Sequence, residues 1–65
     1  MKSSRPVSKG ETHMVEIEEY GEEGDGVAHV DGFAIFVEGS VQPGDEVLAI
    51  IKWVGDRYAF AEASQ

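Results

Sequence analysis

The sequence contains no cysteine, only two prolines and no long apolar run. Without cysteine the chain forms neither disulfides nor thiolate metal sites, which is typical of a reducing compartment. The opening MKSSRPVSKG lacks the apolar core of a signal peptide, and no run approaches the roughly eighteen apolar residues of a membrane span. We therefore expect a one-domain cytoplasmic protein that does not enter the membrane.

Positive charge is scarce, with five Lys and Arg against 13 Asp and Glu and a net charge of −8. Lys2, Arg5 and Lys9 fall in the first ten residues, which contain no acid. All the acids follow, accompanied only by Lys52 and Arg57. An acidic body repels polyanions at long range, which argues against nucleic-acid binding driven by charge alone.

A helical pattern is also missing. No stretch of about ten residues combines a helical apolar stripe with capping residues. The N-terminal Ser, Lys, Gly and Pro residues show no periodicity, so we predict a flexible basic tail over residues 1–11 and a folded domain over residues 12–65.

Alternation and turn residues are what the sequence does contain. Val15 and Ile17 alternate with acids, which predicts a strand with one wet face. Further strands are predicted from apolar and β-branched runs at residues 27–30, 33–38, 46–54 and 57–63. Their connections contain Asp31-Gly32, suited to a two-residue hairpin, Pro43-Gly44, suited to a type II turn, and Gly55-Asp56. Five short-looped strands predict an all-β fold, a small five-stranded antiparallel barrel of OB-fold type.

The period of two also assigns side chains to faces. In the last strand the alanines share one face, so Tyr58 and Phe60 point outward. Phe36 points outward because its neighbours Ile35 and Val37 point inward.

Two aromatic residues are less clearly assigned by alternation. Phe33 has the inward parity of Ile35, but it directly follows a glycine turn and stays undecided. Trp53 has the parity of Val47 and Ile51, so we expect it in the core or at a barrel end.

Signatures of catalysis or metal binding are weak. His13 and His29 lack partners of a metal-ligand pattern, so surface histidines are expected. The EEGDG run lacks the spacing of a calcium loop and is interpreted as a solvated acidic turn. We expect no enzyme activity, metal or cofactor.

The segments EEGDGVAHVDGFAIFVEGSVQPGDEV and IIKWVGDRYAFAEA closely resemble the TRAM domain, in particular stand-alone archaeal TRAM proteins. The resemblance covers about residues 12–63. It implies an OB-like barrel that binds RNA without catalysis. Family members occur fused to tRNA-modifying enzymes, or alone as cold-shock-like RNA chaperones that melt RNA secondary structure.

The resemblance implies an aromatic RNA-binding surface, with His29 where the family often has a basic residue. Lys52 and Arg57 are expected near the rings. The predicted partner is single-stranded or unpaired RNA, such as regions of tRNA or rRNA, bound by a monomer. The alternative is an acidic protein-interaction module that docks a basic ribosomal or RNA-processing protein. The predicted RNA-binding residues are Phe33, Phe36, Tyr58, Phe60, His29, Lys52 and Arg57.

Overall fold

The computed structural model describes residues 5–64, which form one six-stranded β-sheet. Within that range no helix is long and apolar enough to cross a membrane. The strands are β1 (Thr12–Glu16), β2 (Glu19–Tyr20), β3 (Gly26–Val30), β4 (Phe33–Glu38), β5 (Glu46–Val54) and β6 (Tyr58–Ala63).

The sheet has the order β1-β5-β6-β4-β3-β2 and curls into a partial barrel. The all-β, OB-like prediction is confirmed, with two differences in detail. The first predicted strand is divided into β1 and β2, because Ile17 N donates to Asp45 O at 2.8 Å whereas Glu18 N donates to Val27 O at 2.7 Å. The chain therefore leaves β5 for β3 at this point, which brings the two sides of the curled sheet together.

The second difference is the direction of one strand pair. β6 inserts between β4 and β5. It runs antiparallel to β5 and parallel to β4. All other pairs in the sheet are antiparallel, as predicted.

The predicted turns follow from local backbone chemistry. Asp31 and Gly32 both have positive φ, 52° and 83°, as a two-residue type I′ hairpin requires. Gly44 has φ 97°, and Asp45 N donates to Gln42 O at 3.0 Å across Pro43-Gly44, which matches a type II turn. Both turn predictions are confirmed.

The core lies on the concave side of the sheet. Phe33 belongs to it with 8% exposure, because it keeps the inward parity of Ile35 despite following the turn. The resemblance placed Phe33 on the RNA-binding surface, and for this residue that prediction is wrong. The buried cluster is Val7, Val15, Ile17, Ala28, Phe33, Ile35, Val37, Val41, Ala49, Ile51, Ala59 and Ala61.

The folded part of the chain begins before residue 12. Val7 is buried in the core cluster, and Gly10 N donates to Ile51 O at 2.8 Å, which extends the pairing of β1 with β5. Arg5 Nη2 donates to Asp56 Oδ1 at 2.9 Å. Residues 1–4 of the predicted tail lie outside the described residues.

Candidate nucleic-acid interface

A β-bulge in β5 turns Trp53 to the outer face of the sheet. Ile51 pairs with Ala61, but the next pair joins Trp53 to Phe60, so Lys52 is an extra residue on β5. An extra residue shifts the alternation that follows by one position. Trp53 is 46% exposed, and the prediction that it lies in the core or at a barrel end is wrong.

Four aromatic rings therefore meet on the outer face, and we call them the ring platform: Phe36, Trp53, Tyr58 and Phe60. Phe36 and Trp53 are the partners of Phe60 on either side of it, so these three rings form a row across β4, β6 and β5. Tyr58 lies on the same face of β6. The outward orientation predicted for Phe36, Tyr58 and Phe60 is confirmed.

The rings contact one another without forming a flat stack. Phe60 lies 5.6 to 5.8 Å from each of the other three centroids. Tyr58 is perpendicular to Phe60, at 90°, and nearly so to Phe36, at 83°. Tyr58 and Phe60 remain 38% and 40% exposed, and Phe36 is half-buried. The platform is a tilted surface with several separate apolar faces open to solvent.

Three predicted polar site residues lie around this platform. Arg57 immediately precedes Tyr58 and lines a groove beside Phe36, Tyr58 and Phe60. His29 lines the same groove, and its Nδ1 lies 3.0 Å from Glu18 Oε1. Lys52 lies beside Trp53 in the bulge, with Nζ 3.9 Å from Glu62 Oε1. The partners of His29 and Lys52, Glu18 and Glu62, are exposed, so both contacts are easily exchanged for solvent.

The groove has one aromatic wall and one acidic wall. Opposite the rings lie β2 and the glycine-rich turn, with Glu19, Glu22, Glu23 and Asp25 among the lining residues. Gly21 N donates to Asp25 O at 2.7 Å, which holds this turn together. Carboxylates on one wall keep phosphates away from it, so a ligand must present its uncharged faces to the rings.

His13 lies apart from the platform, at the start of the barrel. Its Nε2 is 2.9 Å from Glu11 Oε1, and the Ser8 amide donates to the same oxygen at 2.9 Å. The hydrogen bond from His13, followed by that from Ser8, lowers the pKa of Glu11 below its ordinary value of 4.5. Among the described residues no three His, Asp or Glu side chains are grouped as a metal site.

Trp53 is the platform residue that alternation missed. The sequence offered no clear signal for this, because Ile50 and Ile51 alternate regularly between the outer and inner faces and the extra residue, Lys52, comes only after them. Phe33, which the resemblance placed on the RNA-binding surface, lies in the core instead.

Comparison with known proteins gives consistent matches. The family model described as TRAM domain matches residues 6–64. An uncharacterized protein of Methanocaldococcus jannaschii, MJ0660, is 47% identical over 57 residues, covering 88% of this chain and 73% of that protein. Ribosomal RNA large subunit methyltransferase E of Natronomonas pharaonis is 49% identical over 57 residues, again 88% of this chain but 22% of the methyltransferase.

A solved structure matches as well. The solution structure of the conserved protein from gene locus MMP0076 of Methanococcus maripaludis superposes with a TM-score of 0.87 at 35% identity. The match covers 95% of this chain and 87% of that one.

Proposed function

The chain belongs to the TRAM domain family, and from this membership we propose that it is an RNA-binding protein that captures unpaired RNA on the ring platform. Family membership supports the RNA-binding role. The single observation that carries the assignment to this surface is the four-ring platform, held open to solvent on the outer face of an otherwise acidic barrel. Exposed aromatic rings of this kind are the usual stacking surface of OB-like domains.

Binding without catalysis is part of the proposal. The chain spans about a fifth of the methyltransferases that it matches, and the match is confined to their TRAM portion. Because those relatives are named for ribosomal RNA, rRNA is a reasonable RNA class for this chain, alongside tRNA. The relatives named above are archaeal, which supports an archaeal origin. A cytoplasmic location is proposed from the RNA-binding role, since the proposed partners, rRNA and tRNA, are found there.

Stacking explains how an acidic protein holds a polyanion. Each stacked base contributes about 1–3 kcal/mol, so two or three bases on the platform offset modest repulsion. Arg57 on one side and Lys52 on the other supply charge where the backbone would pass. Duplex RNA hides its base faces, and therefore unpaired segments are preferred.

Chaperone activity follows from this preference. A protein that binds only the unpaired form shifts the pairing equilibrium toward it, without ATP. RNA secondary structure is most stable at low temperature, so a protein that opens it is most useful in the cold. A cold-responsive role is therefore part of the proposal.

The test uses the only tryptophan of the chain, which lies in the platform. An unstructured oligoribonucleotide is titrated into the full chain, while Trp53 fluorescence and the anisotropy of a labelled oligonucleotide are recorded. Phe36→Ala and Tyr58→Ala are each expected to weaken binding by about 1–3 kcal/mol, since each removes one stacking face. A labelled hairpin should open on addition of wild-type protein and stay closed with either variant.

Leu48→Ala is the matched control, because Leu48 is as exposed as Phe60 but lies outside the platform. It is expected to bind RNA like the wild type. Unchanged RNA binding by both aromatic variants would contradict the assignment of RNA binding to the ring platform. The alternative, in which the rings anchor a basic protein, predicts that RNA leaves Trp53 fluorescence unchanged.

A further inference from the structure

A second apolar area lies on the outer surface of the sheet, away from the rings. Met14 on β1 and Leu48 on β5 are direct cross-strand partners, 58% and 41% exposed. Ile50 is the next outward residue of β5 and is half-buried opposite Thr12. We call Met14, Leu48 and Ile50 the Met14–Leu48 face. Adjacent exposed side chains of this size are a feature of interaction sites, whereas single ones need no explanation.

Two pairs of glutamates bound this face. Glu16 and Glu46 are direct partners across β1 and β5 at one end. Glu38 and Glu62 are direct partners across β4 and β6 at the other, where Glu62 also faces Ile50. Like charges directly opposite each other destabilise a sheet. Lys52, whose Nζ lies 3.9 Å from Glu62 Oε1, offsets part of the repulsion at the second pair through an exposed contact. A ligand that brought cations to both ends would relieve the rest.

A shallow hollow beside Leu48 adds shape to the face. It is lined by Val41, Val47 and Ala63, together with the acidic residues Asp45 and Glu46. An apolar side chain fits against its lining, and a neighbouring cation would lie close to the carboxylates.

We propose that the Met14–Leu48 face docks a segment of a basic protein, which places apolar side chains over Leu48 and lysine or arginine against the two glutamate pairs. This interaction is separate from RNA capture on the ring platform, because Glu38 and Glu62 lie between the two surfaces. The protein thereby holds RNA and a basic protein on different parts of one sheet.

The charges select this occupant over two others. RNA would bring phosphates against both glutamate pairs, and the ring platform that favours bases lies elsewhere on the sheet. A second copy would bring the same glutamates and the same net charge of −8 to a self-complementary contact. Complementary charge is the arrangement that sets specificity in protein interfaces.

The experiment titrates a short peptide of alternating lysine and leucine into the full ¹⁵N-labelled chain. Amide shifts are expected around Met14, at residues 46–50 and at residues 62–64. Leu48→Asn should weaken peptide binding at least about tenfold, since it removes the apolar contact and leaves the charge of the face unchanged. The dispersion of the variant's spectrum checks that it remains folded.

Two controls separate this face from the platform. Phe60→Ala should bind the peptide normally but lose RNA affinity, and Leu48→Asn should do the reverse. Equal shifts from a peptide of alternating lysine and serine would reduce the interaction to charge alone and overturn the proposal. So would peptide shifts confined to the ring platform, or a dimer in sedimentation that Leu48→Asn dissociates.

Discussion

Phe33 and Phe60 are the same residue type in opposite roles. Phe33 lies in the core, whereas Phe60 lies at the centre of the ring platform. Phe33→Ala is expected to lower the free energy of unfolding by about 3–5 kcal/mol, the usual cost of an emptied core position. Phe60→Ala should lower it by about 1 kcal/mol or less, the value of cross-strand ring contacts.

Urea unfolding and RNA titration on the same samples check this pair. Phe60→Ala should have near-normal stability with weakened RNA binding. A Phe60→Ala protein that unfolds as readily as Phe33→Ala would show that the platform is part of the core.

Glu11 gives the fold a local pH response. Its pKa is lowered by hydrogen bonds from His13 and from the Ser8 amide, so the carboxylate favours the folded state. That contribution is fully present above pH 4.5 and is lost as the pH falls through the lower pKa of the folded state. Glu11→Gln should therefore melt below the wild type at neutral pH, with the difference shrinking in acid.

Thermal melts of both proteins between about pH 3 and pH 7 measure this difference. Because Glu11 is exposed, the effect is small, and the difference between the proteins is more informative than either curve. A difference that grew toward acid pH would contradict the assigned direction of the shift.

At the residue scale, alternation predicted the orientation of Phe36, Tyr58 and Phe60 because each lies in a regular stretch of strand. It failed for Trp53, since one extra residue at Lys52 reverses every face beyond it. Whether a strand bulges depends on the partner strand opposite, which a single-sequence pattern does not contain.

At the scale of elements, the bulge in β5 and the turn after it set the position of Trp53 together. A Cβ on Gly55 would lie 2.6 Å from the edge of the Trp53 indole, so the ring folds directly over this glycine. Gly55→Ala is therefore expected to push the indole aside and leave the barrel folded. The ring is the movable end of a side chain, so the steric cost is largely relieved by its displacement.

This prediction is checked by a shifted Trp53 emission spectrum and weaker RNA binding, with Gly44→Ala as a control for a glycine change at the opposite end of β5. No atom lies near the Gly44 position, although its positive φ of 97° should lower stability somewhat. RNA binding by Gly55→Ala equal to the wild type would show that the placement of Trp53 is unimportant.

Strand bounds were predictable where turn chemistry marks them. Asp31-Gly32 marks the end of β3 and the start of β4, and Pro43-Gly44 comes just before the start of β5. Both turns depend on local backbone requirements. The separation of β1 from β2 was not predictable, because the alternation runs unbroken through Ile17 and Glu18 while the partner strand changes. Such exchanges of partner depend on the closure of the whole sheet.

At the scale of the molecule, acidic charge is the dominant property. The net charge is −8, and Glu16–Glu46 and Glu38–Glu62 face each other directly across strands. Salt screens such repulsion over about 10 Å at 0.1 M. The melting temperature should therefore rise with sodium chloride, and Glu46→Gln should reduce that rise. A melting temperature that falls with added salt would contradict this account.

Salt should affect RNA binding only weakly. The chain has five Lys and Arg in total, so the slope of log K against log salt should be smaller in magnitude than about 3.5, at roughly 0.7 per phosphate contacted. Titrations at several salt concentrations measure the slope. A steeper slope would mean that phosphate contacts, and not stacking, dominate the affinity.

The place of β6 in the sheet has a consequence for how the barrel assembles. β4 and β5 have no direct pairing, and β6, which follows both in the chain, joins them. During synthesis the edges of β4 and β5 that pair with β6 remain unpaired until β6 leaves the ribosome. The ring platform forms in that same final event, so a nascent chain acquires its binding surface only when its barrel is complete.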